Sequence, residues 1–167
     1  MANLVQGDLV VTGNLIPGGL QAPAGSVSAS NIGSPAAGQP GIASSKLNHR
    51  EHHFYNQPNT TIVAATVPIF ITYGTAGTVV SFKAGSIAVC TGAATVTVDL
   101  YKNGSSILSA PIALNSSSVA RVAQAATIST PATAVGDWFD IVVTATAGGG
   151  TIGTGLYVEA IIDENPS

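Results

Sequence analysis

From Thr60 onward, apolar residues recur at every second position over much of the chain, and that period constrains the fold more than any other feature. In Thr95-Val96-Thr97-Val98-Asp99-Leu100-Tyr101, the residues Val96, Val98 and Leu100 fall on one side and Thr95, Thr97 and Asp99 on the other. Lys102-Asn103-Gly104-Ser105 follows, and Asn-Gly is the favoured pair for a two-residue hairpin turn with positive φ at both centres. A second alternation sets Trp138, Asp140 and Val142 against Phe139, Ile141 and Val143. A third, Leu156, Val158, Ala160 and Ile162, closes the domain. The pattern predicts strands over 61–66, 69–73, 78–82, 86–90, 94–101, 107–114, 120–128, 138–146 and 156–162. Gly74, Gly77, Gly85, Gly92, Asn115, Pro131, Gly136 and the Gly148-Gly149-Gly150 loop break the series, and the triple glycine reads as a flexible hairpin tip. No amphipathic helix of useful length follows residue 57. The fold class is therefore all-β: a C-terminal jelly-roll or β-sandwich head at 60–167.

Ahead of the head lie two segments of different character. Residues 1–45 read as an extended arm. Within it, Gly7-Asp8-Leu9 and Gly13-Asn14-Leu15 repeat and supply turns for a short β element, with Leu4, Leu9, Val11 and Leu15 as its apolar contacts. A lone strand pair of this kind is not stable in water, so it requires sister copies or a host surface. Pro17, Pro23, Pro35 and Pro40, interspersed with glycines, leave no helical or strand period, and Ile32 and Ile42 stand as isolated apolar pegs. Residues 46–59 form a polar neck. Lys46-Leu47-Asn48-His49-Arg50-Glu51-His52-His53 gathers all three histidines of the chain, and Phe54 and Tyr55 follow as rings to plug the base of the head.

The chain as a whole is nearly uncharged: five basic and eight acidic residues in 167. A soluble domain usually carries about a quarter charged residues, so a free monomer would have little colloidal protection. Much of this neutral surface is expected to be covered by sister subunits or a larger assembly. No basic stripe exists, which argues against nucleic acid as a partner. No apolar window approaches a membrane span, and the N-terminus lacks a signal-like pattern, so synthesis in a cytoplasm is expected. The single cysteine, Cys90, lies in an apolar run and reads as a small core residue.

Candidate chemistry is thin. His49 sits i, i+3 and i, i+4 from His52 and His53, spacing that would share one helix face, and one histidine per chain on a threefold axis would offer three metal ligands. The sequence shows only Glu51 as a nearby acid, so the expectation is no metal and a neck of inter-chain hydrogen bonds and ion pairs, loosened by charge repulsion when the histidines are protonated. There is no Gly-x-Ser-x-Gly elbow, and no histidine follows His53. Paired carboxylates for sugar hydrolysis would have to come from Asp99, Asp137, Asp140 and Glu159, and Asp137 after Gly136 reads better as a turn cap. The expectation is a protein without catalytic residues or cofactors.

Three patches carry a family resemblance. The stretch from Gly25-Ser26-Val27 through Asn31-Ile32 to Ile42-Ala43-Ser44-Ser45-Lys46-Leu47-Asn48-His49 resembles a segment of small head-decoration (cement) proteins of tailed bacteriophages. Gly7-Asp8-Leu9-Val10-Val11-Thr12-Gly13-Asn14-Leu15 resembles the short β repeats that begin many phage structural and fibre proteins. Gly136-Asp137-Trp138-Phe139-Asp140-Ile141-Val142-Val143 is similar to a late strand of trimeric jelly-roll heads. The resemblance implies a homotrimer on the outer surface of a capsid, with Leu4, Leu9, Val11, Leu15, Ile32 and Ile42 docking the arm between major capsid protein subunits. Lys46, His49, Arg50, Glu51, His52, His53, Phe54 and Tyr55 would form the trimer neck. The alternatives are a tail-fibre or receptor-binding head that recognises a host sugar or protein, and a lectin-like β-sandwich.

Overall fold

Two antiparallel sheets pack face to face in the computed structural model, which describes residues 49–164. The strands are β1 His49–Asn56, β2 Ala65–Ile71, β3 Gly77–Ala88, β4 Thr95–Lys102, β5 Ser105–Ser106, β6 Ile112–Leu114, β7 Gln124–Ala125, β8 Ala132–Thr133, β9 Trp138–Thr146 and β10 Thr154–Glu164. The first sheet runs β1-β10-β3-β7, with β8 also on β3. The second runs β2-β9-β4-β5, with β6 also on β4. With β5/β6 and β7/β8 each taken as one interrupted strand, this is the strand order of a jelly roll. The described residues contain strands and no helix. The arm residues Leu4, Leu9, Val11, Leu15, Ile32 and Ile42, and Lys46 of the neck, lie outside the described residues.

The alternation places the core as expected. Val96, Val98 and Leu100 from β4, Phe139, Ile141 and Val143 from β9, and Leu156, Val158, Ala160 and Ile162 from β10 are all buried between the sheets. Cys90 is buried with them, and its Sγ accepts the Gly153 N–H at 3.3 Å. The β4–β5 hairpin closes through Asn103 at φ 52° and Gly104 at φ 81°, the positive pair the turn demands, with Lys102 opposite Ser105.

Several boundaries differ from the sequence reading, each for a physical reason. Gly85 does not break a strand: β3 runs through it, because Tyr157 on β10 lays its ring over that position, and an added Cβ would sit 2.5 Å from Tyr157 Cζ. The two strands expected at 61–66 and 69–73 are one, β2, on the sheet edge. Its register shifts between Pro68 and Phe70, where proline cannot donate to a ladder. The strand expected at 107–114 survives only as Ile112–Leu114, directly after Pro111, with Leu108 in an isolated bridge to Ile128. That expected at 120–128 shrinks to Gln124–Ala125, because Arg121 takes φ 63° and turns its N–H to Ser86 O. The triple-glycine loop is not a free tip: Gly150 donates to Ala147 O, and Thr151 bridges Thr91.

The largest correction concerns the neck. Residues His49–Asn56 are the first strand of the jelly roll, paired residue for residue with β10 from His49–Glu164 to Asn56–Tyr157. The head therefore begins before Thr60, and the histidines share a strand rather than a helix face.

Candidate functional site

Strand geometry sorts the polar cluster onto two faces. His49, Glu51, His53 and Tyr55 alternate on one side of β1. Arg50, His52, Phe54 and Asn56 occupy the other, more exposed side. Among the described residues β1 is the outermost strand of its sheet, with one of its edges paired to β10.

The inner row grades from core to solvent. Tyr55 packs against the hydrophobic core and accepts a hydrogen bond from Gln57 Nε2 at 3.2 Å. Gln57 in turn locks the β1–β2 connection, donating to Val63 O and accepting from Val63 N–H, both at 2.8 Å. His53 lies over Phe70 of β2 with ring centroids 4.3 Å apart, and Phe70 lies 5.9 Å from the buried Phe139 of β9. On its other side, His53 Nε2 is 3.1 Å from Glu51 Oε2. Glu51 Oε1 is 3.3 Å from His49 Nδ1, and Glu164 Oε2 reaches the same nitrogen at 3.7 Å.

The outer row carries a fork-to-fork ion pair. Arg50 Nε donates to Asp163 Oδ1 at 2.6 Å and Nη2 to Oδ2 at 2.7 Å. The hydrogen bond from Arg50, with its charge, holds the Asp163 carboxyl below the usual carboxylate range. The same contact raises the Arg50 guanidinium. His52 Nδ1 stands 3.3 Å from Glu159 Oε1. Phe54, by contrast, is 63% exposed and does not plug the head; of the two rings, only Tyr55 turns inward.

Each histidine thus has a carboxylate partner supplied by Glu51, Glu159 or Glu164. The sequence reading saw only Glu51, because Glu159 and Glu164 arrive from a strand more than a hundred residues away.

Among the described residues, the remaining acids are individually engaged. Asp99 accepts from Ser106 Oγ and Leu100 N–H, both at 2.8 Å. Asp140 accepts from Trp138 Nε1 at 2.7 Å. Asp137 accepts from Asn103 Nδ2 at 2.7 Å and Ala134 N–H at 2.8 Å, with Lys102 Nζ at 3.7 Å. Burial raises the Asp137 carboxyl, but these donors and the lysine outweigh it and leave it below its ordinary value. It is a turn cap, as its place after Gly136 suggested.

Two surface features complete the picture. Tyr73, Val135 and Trp138 are 80%, 62% and 44% exposed. They flank adjoining segments, since Thr72 N–H bonds Asp137 O and Gly136 N–H bonds Thr72 O. An open depression of about 360 Å³ lies beside the 115–122 loop, lined by neutral side chains that include Asn115, Val119, Val122 and Gln124.

No protein-family model and no curated protein sequence matches the chain. Among solved structures, it is similar to a chain from the structure of infectious bursal disease virus Gt strain, at 13% identity and a TM-score of 0.29. The alignment covers 80% of this chain and 41% of that one, so this chain spans less than half the length of that neighbour.

Proposed function

We propose that the protein is a structural component of a virion: a homotrimer that decorates a phage capsid from the outside and clamps neighbouring major capsid protein subunits. The observation that carries this reading is a jelly-roll head poor in charge, with Tyr73, Val135 and Trp138 each exposed on adjoining segments. Large apolar side chains on adjoining exposed segments suit contact with another protein surface. In this reading the arm, with Leu4, Leu9, Val11, Leu15, Ile32 and Ile42, docks between capsid subunits, and His49, Arg50, Glu51, His52, His53, Phe54 and Tyr55 lie at the base of the trimer.

The physics of such a clamp is straightforward. Three tethered arms convert weak contacts into strong attachment through effective concentration. Binding only to the assembled shell stabilises that shell by mass action. The reading assigns no catalysis and no direct contact with nucleic acid or membrane.

The test is to mix the purified full chain with undecorated capsids and locate it by electron microscopy, beside its solution mass by light scattering. Trimers over the shell at many copies support decoration. Attachment at few copies on the tail favours the second reading, a receptor-binding head, for which the open depression near Val119 and Val122 would be the ligand surface. A monomer that binds neither sinks both.

A further inference from the structure

We propose that His49, Glu51 and Glu164 form a binding site for one divalent transition-metal ion, with zinc as the best-fitting ion. Their donor atoms, His49 Nδ1 and one carboxylate oxygen from each glutamate, all lie within 4.8 Å of one another. Ligands about 2.0–2.1 Å from a tetrahedral zinc stand roughly 3.4 Å apart. The separations from His49 Nδ1, 3.3 Å to Glu51 and 3.7 Å to Glu164, already approximate two edges of that tetrahedron.

The surroundings favour a cation. The two glutamate side chains are 25% and 12% exposed, and both converge on one imidazole nitrogen. With that imidazole neutral, the trio carries two negative charges. The nearest arginine in sequence, Arg50, is on the other face of β1 and is occupied by Asp163. The carboxylate oxygens of Glu51 have separate partners: Oε1 faces His49, while Oε2 is 3.1 Å from His53 Nε2. His53 thus serves as an outer partner that orients a ligand, as metal sites commonly require. Glu164 has its space because position 74 is glycine; a Cβ there would lie 2.8 Å from Glu164 Oε2. A nitrogen donor selects zinc-like ions over calcium and magnesium, which prefer all-oxygen shells. Three protein ligands leave the fourth position to water.

What the ion would do follows from where the ligands sit. Glu164 is the last residue of β10, His49 is the first of β1, and the two are register partners. A metal there staples the open end of the β1–β10 strand pair. The inference does not depend on the capsid reading.

The test uses the full chain stripped with chelator and titrated with ZnCl2 by calorimetry, with CoCl2 as a spectroscopic substitute. The expected result is one zinc per chain, tetrahedral cobalt absorption, and a rise in Tm of about 10 °C at a hundredfold excess over Kd. Glu164→Gln keeps the side-chain volume and should weaken binding about 100-fold, and His53→Ala about 10-fold, with unchanged circular dichroism. His52→Ala, on the opposite face, should bind as wild type. Absence of binding at 1 mM zinc, equal loss in His52→Ala, an unaffected Glu164→Gln, an equal response to calcium, or one ion per three chains would each overturn the site.

Discussion

Three rings form a line from the centre of the sandwich to its polar edge, and removing the two phenylalanines singly and together tests whether they stabilise the fold as a unit. Phe139 is fully buried on β9; Phe70 of β2 stacks on it at 5.9 Å; His53 of β1 stacks on Phe70 at 4.3 Å. Phe139→Ala deletes a whole core ring, a change that costs about 3–5 kcal/mol because the cavity refills only partly. For a domain of this size, that lowers Tm by roughly 12–20 °C and is a large share of the total stability. Phe70 is only half-buried, so Phe70→Ala should cost about half as much. The two rings touch, so the double variant should fall short of additivity by about 0.5–1.5 kcal/mol. Urea unfolding followed by far-UV circular dichroism gives all four corners of the cycle. A loss under about 1 kcal/mol for Phe139→Ala, or additivity within about 0.3 kcal/mol, would refute the reasoning.

Three further outcomes follow from the same geometry. Gly85→Val should destabilise the head by driving a side chain into Tyr157, and Tyr157→Ala in the same chain should recover part of the loss; thermal melts of the single and double variants decide it. Asp163, held low by Arg50, stabilises the fold above the carboxyl's ordinary value of about 3.9, and this contribution fades as pH falls through the lower folded value. Asp163→Asn should therefore lose stability at pH 7, and the difference from wild type should shrink as the pH falls below the carboxyl's ordinary value; a difference that stays constant on acidification would count against the ion pair. A chain starting at Thr60 lacks β1 and should show no cooperative unfolding, whereas one starting at Lys46 should unfold cooperatively; circular dichroism melts separate them.

The legible strands share one property. β4, β9 and β10 bury Val, Ile, Leu and Phe at every second position, so their period shows in the residues themselves. β1 alternates just as strictly, but its inner row is His49, Glu51, His53 and Tyr55, polar groups paired through space instead of being apolar. Period analysis therefore has nothing to detect, and the strand reads as a neck. The same blindness hid Glu159 and Glu164, whose roles arise from register rather than neighbourhood in sequence. Gly85 misled for the reverse reason: a residue that usually ends a strand is needed inside this one to admit a ring from the next. The short strands β5, β7 and β8, two residues each, are products of the packing around them and leave no periodic trace.

The pairing of the first strand with the last sets a timetable for birth on the ribosome. β10 lies between β1 and β3, and β9 between β2 and β4, so neither sheet can complete its inner pairings until β9 and β10 have been made. Arg50 meets Asp163 across 113 residues, a wait of roughly 5–20 s at ordinary rates of translation. During that interval the nascent polypeptide holds unmatched hydrogen-bonding edges and no closed core, and the large loop to be closed slows the final docking further. The head therefore closes its sheets only once β10 has emerged from the tunnel.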